Sequence, residues 1–240
     1  MVSDLRCVRN AGFCRPSPTR WHVTTILLVF LLLWNLPAGA GTPATVTFSL
    51  AFPNSEPERY SISVQSDGHV HYECTARISE DSDDREDYQT DFVLTEATRA
   101  RIFDLAEQAH YFSGKIDSGN KKLAFTGSKK LAYKDDQRSF IANYNFSPQP
   151  AVQQLTTLFQ NVAATLDFGR LLAHYHRYQK LALDDELKRM EDQARHGDLA
   201  ELQAVSSVLQ EIFDDPSVIN VVRARAQRIM QMSKTASTPH

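Results

Sequence analysis

Residues 60–78 read YSISVQSDGHVHYECTARI, and this stretch decides the fold class. Tyr60, Ile62 and Val64 alternate with Ser61, Ser63 and Gln65. After Ser66-Asp67-Gly68, the residues Val70, Tyr72, Cys74, Ala76 and Ile78 alternate with His69, His71, Glu73, Thr75 and Arg77. Period two with one apolar side marks strands buried on one face. A two-residue Asp-Gly turn would set Val64 against His71, apolar against polar. A three-residue loop, with Gly68 at the left-handed position of a G1 bulge, sets Val64 against Val70 and Ile62 against Tyr72. The three-residue loop is the expected register.

The same alternation runs upstream through Val46, Phe48, Leu50 and Phe52. Downstream, an acidic connection over residues 80–87 leads to a fourth strand with Tyr88, Thr90, Phe92 and Leu94 on one side. Thr95 is a fitting cap for a helix to about His110. Its stripe is read as Ala100, Phe103, Ala106 and Glu107/His110, flanked by Ile102 and Leu105. After a polar loop come three short segments, with Leu123/Phe125, Leu131/Tyr133 and Phe140/Ala142/Tyr144. A four-residue turn over residues 135–138 would set Tyr133 opposite Phe140. About seven antiparallel strands and one inserted helix are expected.

Pro148 and Pro150 mark a change of period. Val152, Leu155, Leu158/Phe159, Val162 and Leu166 follow helical spacing, and further helices are expected over residues 167–182 and 184–196. Gly197 stops the last of these, and Asp198 with Glu201 forms a capping box for a helix over residues 198–213. Asp215 and Pro216 then open a final helix, residues 216–232, giving an αα-hairpin. The expected fold is therefore α+β: a β-rich domain over residues 41–147, a helical region over residues 148–233 and a disordered polar tail over residues 234–240.

The beginning of the chain carries an address. Arg6, Arg9, Arg15 and Arg20 against Asp4 precede the apolar run VTTILLVFLLLW, residues 23–34, then Pro37 and Ala38-Gly39-Ala40. That is the grammar of a secretory signal peptide over residues 1–40. The run is short for a membrane span, which needs about 20 apolar residues. An exported protein, periplasmic or extracellular, is expected, with no stable membrane span after cleavage and a signal anchor if uncleaved. Neither a twin-arginine pair nor a cysteine at the cleavage site is present, which points to the general secretion route without a lipid anchor.

The whole chain carries a formal charge of −3. The leader's four arginines and one aspartate contribute +3 of that, leaving −6, which argues against general nucleic-acid binding. Of three cysteines only Cys74 follows the leader, so no intramolecular disulfide is expected and stability must come from the core.

His69, His71 and Glu73 share one strand face, a spacing compatible with metal ligation. An exposed strand face carries such residues anyway, and no further ligand is anchored by pattern. His174 and His176 stand about 200° apart on a helix and cannot share a metal directly. The carboxylates of residues 81–87 lack the Gly and closing Glu of a calcium loop and read as a solvated connection. Ser118 and Lys121 match S-x-x-K, but Phe125 stands where the companion motif needs lysine, and Ser118 follows a helix instead of opening one. Cys74 lies on the apolar strand side with Tyr72 and Ala76, a core position. Asn145-Phe146-Ser147 is a formal glycosylation acceptor disfavoured by Pro148. No motif calls for a metal or cofactor, and no catalytic residue is assigned.

One surface stands out by charge. Lys121, Lys122, Lys129, Lys130 and Lys134 crowd the second hairpin region of an otherwise acidic chain. Lysines guard edge strands against aggregation; they also suit an anionic partner, and they form the candidate interaction surface.

Two stretches, residues 60–72 (YSISVQSDGHVHY) and residues 129–169 (KKLAYKDDQRSFIANYNFSPQPAVQQLTTLFQNVAATLDFG), resemble small exported bacterial proteins of a family of unknown function. The resemblance covers about a quarter of the chain and implies no activity, since neither stretch holds a catalytic motif. The expected function is that of a non-enzymatic envelope or secreted protein binding another macromolecule, either a protein or an anionic envelope component. The alternative is an envelope hydrolase with dispersed catalytic residues.

Cleavage after Ala40 is expected, leaving a chain that starts Gly41-Thr42-Pro43. N-terminal sequencing of the exported protein checks it; retention of Arg20 in the mature chain would mark a signal anchor instead.

Overall fold

The alternating segments assemble into one six-stranded antiparallel sheet, in the order β4-β3-β2-β1-β5-β6. The structure, a computed structural model, describes residues 42–236 except 54, 80 and 81. The leader, its cleavage site and the last residues of the expected tail lie outside the described residues. The strands are β1 (Thr45–Ala51), β2 (Arg59–Gln65), β3 (His69–Arg77), β4 (Arg85–Val93), β5 (Ser128–Lys134) and β6 (Ser139–Tyr144). The helices are α1 (Glu96–Gln108), α2 (Pro150–Tyr178), α3 (Leu183–His196), α4 (Ser206–Asp214) and α5 (Asn220–Ala236). The class is α+β.

The β2–β3 hairpin has the register its pattern demands: Val64 faces Val70 and Ile62 faces Tyr72. Gly68 makes it possible by adopting φ +93°, which only glycine takes freely. Likewise Tyr133 stands opposite Phe140 across the β5–β6 turn. Val46, Phe48, Ile62, Val64, Tyr72, Leu131 and Tyr144 point to one side of the sheet and are buried. Helices α1 and α2 cover that side. Phe159 of α2 stacks flat on Phe48 at 5.3 Å, and Thr156 meets the buried Tyr144 hydroxyl at 2.6 Å.

Several local expectations yield to packing. Leu123 and Phe125 are exposed in a loop and form no strand. The Thr126 N–H finds the Asn145 side chain in place of a ladder carbonyl, at 2.9 Å. The acidic connection ends sooner than expected, because residues 85–87 already belong to β4. Thr95 caps α1, but Ile102, Leu105 and Ala106 are buried while Ala100, Glu107 and His110 are exposed. The stripe therefore sits one step round the helix from the one expected.

Helix α2 continues straight through the break expected near residue 167. Arg170, one turn on, donates to Asp167 Oδ1 at 2.8 Å, and Gly169 is a packing requirement. A Cβ on Gly169 would lie 2.4 Å from Val205 Cγ1.

Gly197 ends α3 in the left-handed conformation, as expected. The capping box does not form. Glu201 has φ +60° and aims its carboxylate at Thr95, whose N–H and hydroxyl donate at 2.8 and 2.7 Å. A residue expected to start its own helix thus serves the start of α1. The expected helix over residues 198–213 shrinks to a 3-10 turn, Leu202–Val205, and α4. The last helix starts at Asn220, because Asp215 caps the turn before it, accepting from the Ser217 N–H at 2.9 Å. It runs to Ala236, into the expected tail. Glu191 of α3, almost fully buried, accepts from Arg225 and Arg228 and clamps α5. From Thr42 on, the described residues form one compact unit whose core runs from sheet to last helix.

Three consecutive residues, His110, Tyr111 and Phe112, adopt φ of 50°, 55° and 66°. Such backbone costs roughly 1–2 kcal/mol per residue and must be held by its surroundings. Phe112 is buried, and the Tyr111 ring packs against Tyr133 at 4.6 Å, with the Arg138 guanidinium 3.9 Å from the Tyr111 ring and 5.3 Å from the Tyr133 ring.

Gly169→Ala is expected to destabilise the protein by about 1–3 kcal/mol through overpacking, against a helix-propensity gain of about 1 kcal/mol. Adding Val205→Ala should recover much of the loss. Urea unfolding midpoints of both variants check it, and equal midpoints for wild type and Gly169→Ala would refute the close approach.

Candidate interaction surface

No described element covers the second side of the sheet. Cross-strand rows of that side follow from the registers: Gln89, Glu73, Ser61, Ser49, Lys130 and Asn143 form one row. The row beside it holds Asp91, His71, Ser63 and Thr47. Neighbouring hydroxyls bond each other, Thr47 with Ser63 at 3.0 Å and Ser49 with Ser61 at 3.3 Å. The sheet is hollowed here over about 850 Å³, with hydroxyls along the middle, Glu73 and Asp87 towards β4, and Lys130 towards β6.

The five lysines of the candidate surface do not act as one group. Alternation along β5 turns Lys129 inward and Lys130 outward. Lys129 is only 5% exposed, and its Nζ donates to Thr126 O, Thr126 Oγ1 and Asn145 O at 2.9, 2.8 and 3.0 Å. Burial pulls its pKa below the usual lysine value. It is an internal clamp that ties the start of β5 to the end of β6, and it leaves the candidate surface. Lys134 is exposed at the far end of β5, about 14 Å along the strand from Lys130 at roughly 3.4 Å per residue. There it adjoins the turn of Asp135 and Asp136. Lys121, Lys122 and Lys130 stay exposed at the other end.

That end carries a feature absent from the sequence reading. Leu123, Phe125 and Phe146 are 40%, 58% and 44% exposed. The loop bearing the first two is pinned at both ends. Asp117 Oδ1 accepts from the Asn145 N–H at 3.0 Å, and the Ser118 N–H donates to Phe146 O at 2.8 Å. On the other side the Asn145 side-chain amide donates to Ala124 O at 2.9 Å. The N–H groups aimed at Asp117, led by that of Asn145, hold its carboxyl below the usual range. The failed strand prediction and the exposed apolar side chains have one cause: the segment is held by side chains and has no strand partner to cover it.

The remaining candidates settle into structural roles. His71 Nδ1 lies 2.7 Å from Asp91 Oδ1 on the open side, and Thr75 donates to Asp87 at 2.7 Å. Among the described residues no cluster of three or more His, Cys, Asp or Glu side chains is placed to hold a metal. His176 Nε2 lies 2.9 Å from Asp215 Oδ2, which Lys180 also contacts at 2.6 Å. Ser118 sits in the pinned loop, its Oγ accepting from the Asn120 N–H at 3.3 Å. Cys74 is buried beside Tyr72, and burial raises the pKa of both groups, that of Tyr72 well above its usual value. A thiol held protonated is a poor nucleophile.

The sequence reading also missed a cleft of about 490 Å³ between α2, α3 and the β1–β2 connection. Arg170, its side chain 3% exposed, donates to Asp167 and to Arg77 O, and lies 3.6 Å from Glu86. Glu56 holds Arg77 by its N–H and its guanidinium, at 2.7 and 3.0 Å. Burial raises the Asp167 carboxyl above its usual range, with Arg170 opposing. Only spacing in the fold brings these residues together; helical periodicity near Arg170 carried no sign of it.

No protein-family model matches the chain, and no curated protein does either. No described helix is long and apolar enough to cross a membrane.

Lys129→Ala should cost about 1–3 kcal/mol, the penalty for leaving buried acceptors unsatisfied. Lys121→Ala and Lys122→Ala should stay within about 0.5 kcal/mol of wild type. Denaturant unfolding of the three variants distinguishes clamp from surface; equal midpoints would show Lys129 to be solvated.

Proposed function

We propose that the chain is an exported, non-enzymatic binding protein of the cell envelope or secretome, which captures an anionic partner through Lys121, Lys122 and Lys130. The observation that carries the reading is a stretch without one acidic residue. Residues 118–134 hold five lysines and no carboxylate, in a chain whose net charge is negative. Three of the five lysines are exposed on this side of Lys134: Lys121 and Lys122 on a loop pinned by hydrogen bonds, and Lys130 near the start of β5. Clustered positive charge on an acidic protein steers anionic partners to one place. Pre-pinning lowers the ordering cost of capture.

Lys121→Ala, Lys122→Ala and Lys130→Ala together should weaken capture from envelope extract and flatten its salt dependence. Lys134→Ala, at the far end, should leave both unchanged. Capture insensitive to the triple substitution would sink this reading.

A second reading, an envelope hydrolase, is favoured by one observation: Asp167, paired with Arg170 at 2.8 Å, lines the cleft beside α3, and burial raises its carboxyl above the usual range. A carboxyl with a raised pKa is the group a general acid requires. Turnover of an envelope substrate, abolished by Asp167→Asn in a protein of unchanged fold, would establish it. No turnover in a broad hydrolase panel leaves Asp167 a structural partner of Arg170.

A further inference from the structure

We infer that the lysine-bearing end docks on an anionic lipid surface, with Lys121, Lys122 and Lys130 on headgroup phosphates and Leu123, Phe125 and Phe146 entering the acyl boundary. This rests on the capture reading above and names its partner. A soluble polyanion would need the lysines alone. Here the lysines are interleaved with large apolar side chains that stay exposed: Lys121 and Lys122 directly precede Leu123, and Phe125 follows two residues later. Phe146 comes from the end of β6, yet the bonds from Asp117, Ser118 and Asn145 bring it to the same loop. A surface uniting cationic and apolar side chains matches the headgroup boundary, where the apolar groups sink roughly 5–10 Å and the cations stay among phosphates.

The loop is built for insertion without refolding. Its tip is a tight turn: the Lys122 N–H donates to Asn120 Oδ1 at 3.0 Å and the Leu123 N–H to Asn120 O at 3.3 Å. The tip's backbone polar groups are thus partly satisfied internally, which lowers the cost of leaving water. Phe125 rests edge-on against Phe52 at 5.9 Å, and this contact orients its ring without covering it. Lys129 beneath fixes the loop's exit from Thr126. Lys134, beside Asp135 and Asp136, lies outside the docking surface.

The test uses residues 41–240, which lack Trp21 and Trp34 and therefore contain no tryptophan. Vesicles of phosphatidylcholine with a third phosphatidylglycerol should bind the protein, and vesicles of phosphatidylcholine alone should not. Lys121→Ala, Lys122→Ala and Lys130→Ala together should weaken partitioning by roughly a hundredfold, from about fivefold per lysine near a charged surface. Phe125→Ser with Phe146→Ser should weaken it at least tenfold with an unchanged melting temperature. In Phe125→Trp, emission should shift blue on binding and be quenched by brominated acyl chains. Binding that ignores the two phenylalanine substitutions, or a Phe125→Trp signal untouched by bromine, overturns the lipid inference. So does capture of long-chain polyphosphate without vesicle binding, which leaves the capture reading standing. Failure to bind either overturns both.

Discussion

Everything in this molecule follows from the need to cover one side of a six-stranded sheet. Phe48, at the centre of that side, lies flat against Phe159 of α2, and around this stack the apolar side of β1, β2, β3 and β5 is withdrawn from water. At about 25 cal/mol per Å² of apolar surface, such burial dominates the stability of a unit in which Cys74, the one cysteine among the described residues, is free. Because α2 is long enough to cross the sheet and continue past it, it packs against α3 and α4, and α5 packs in turn on those two. The same arrangement leaves the other side of the sheet without a described cover, so function is sought there and at its rim.

Joining a sheet to helices required polar contacts between residues far apart in the chain. Glu201 reaches back 106 positions to serve the Thr95 cap of α1. Arg170 reaches from α2 to the carbonyl of Arg77 at the end of β3, and its buried charge is answered by Asp167 and Glu86. Removing one partner of such a buried group costs more than its pairing contributes, because the other is left uncompensated. These contacts fix how the helices lie on the sheet more than they add stability. They also create the cleft that supports the hydrolase reading.

The lysine cluster shows how a linear pattern is divided by a fold. Five lysines within fourteen residues become one internal clamp, three members of a surface and one distant charge. Strand alternation alone separates Lys129 from Lys130, and strand length alone separates Lys130 from Lys134. Joining Phe146 to Leu123 and Phe125 required the opposite operation, hydrogen bonds across a loop closure of more than twenty residues. Charge was therefore visible in the linear chain, and the apolar component beside it was not.

Where a residue's fate depends on its immediate neighbours, the linear pattern sufficed. Alternation and Gly68 specified the β2–β3 register, because a one-residue slip would expose Val64 and Tyr72 together. The two prolines marked the switch to helix, and Gly197 its interruption, since their backbone preferences act over one or two residues. The errors fell where a distant group outcompeted a local one. A new helix was expected from Asp167, but Arg170 pairs with Asp167 inside one continuous helix, and Glu201 gave up its own helix for Thr95. Leu123 and Phe125 alternate like a strand but lack a backbone partner, and a ladder is a property of two segments, not of one.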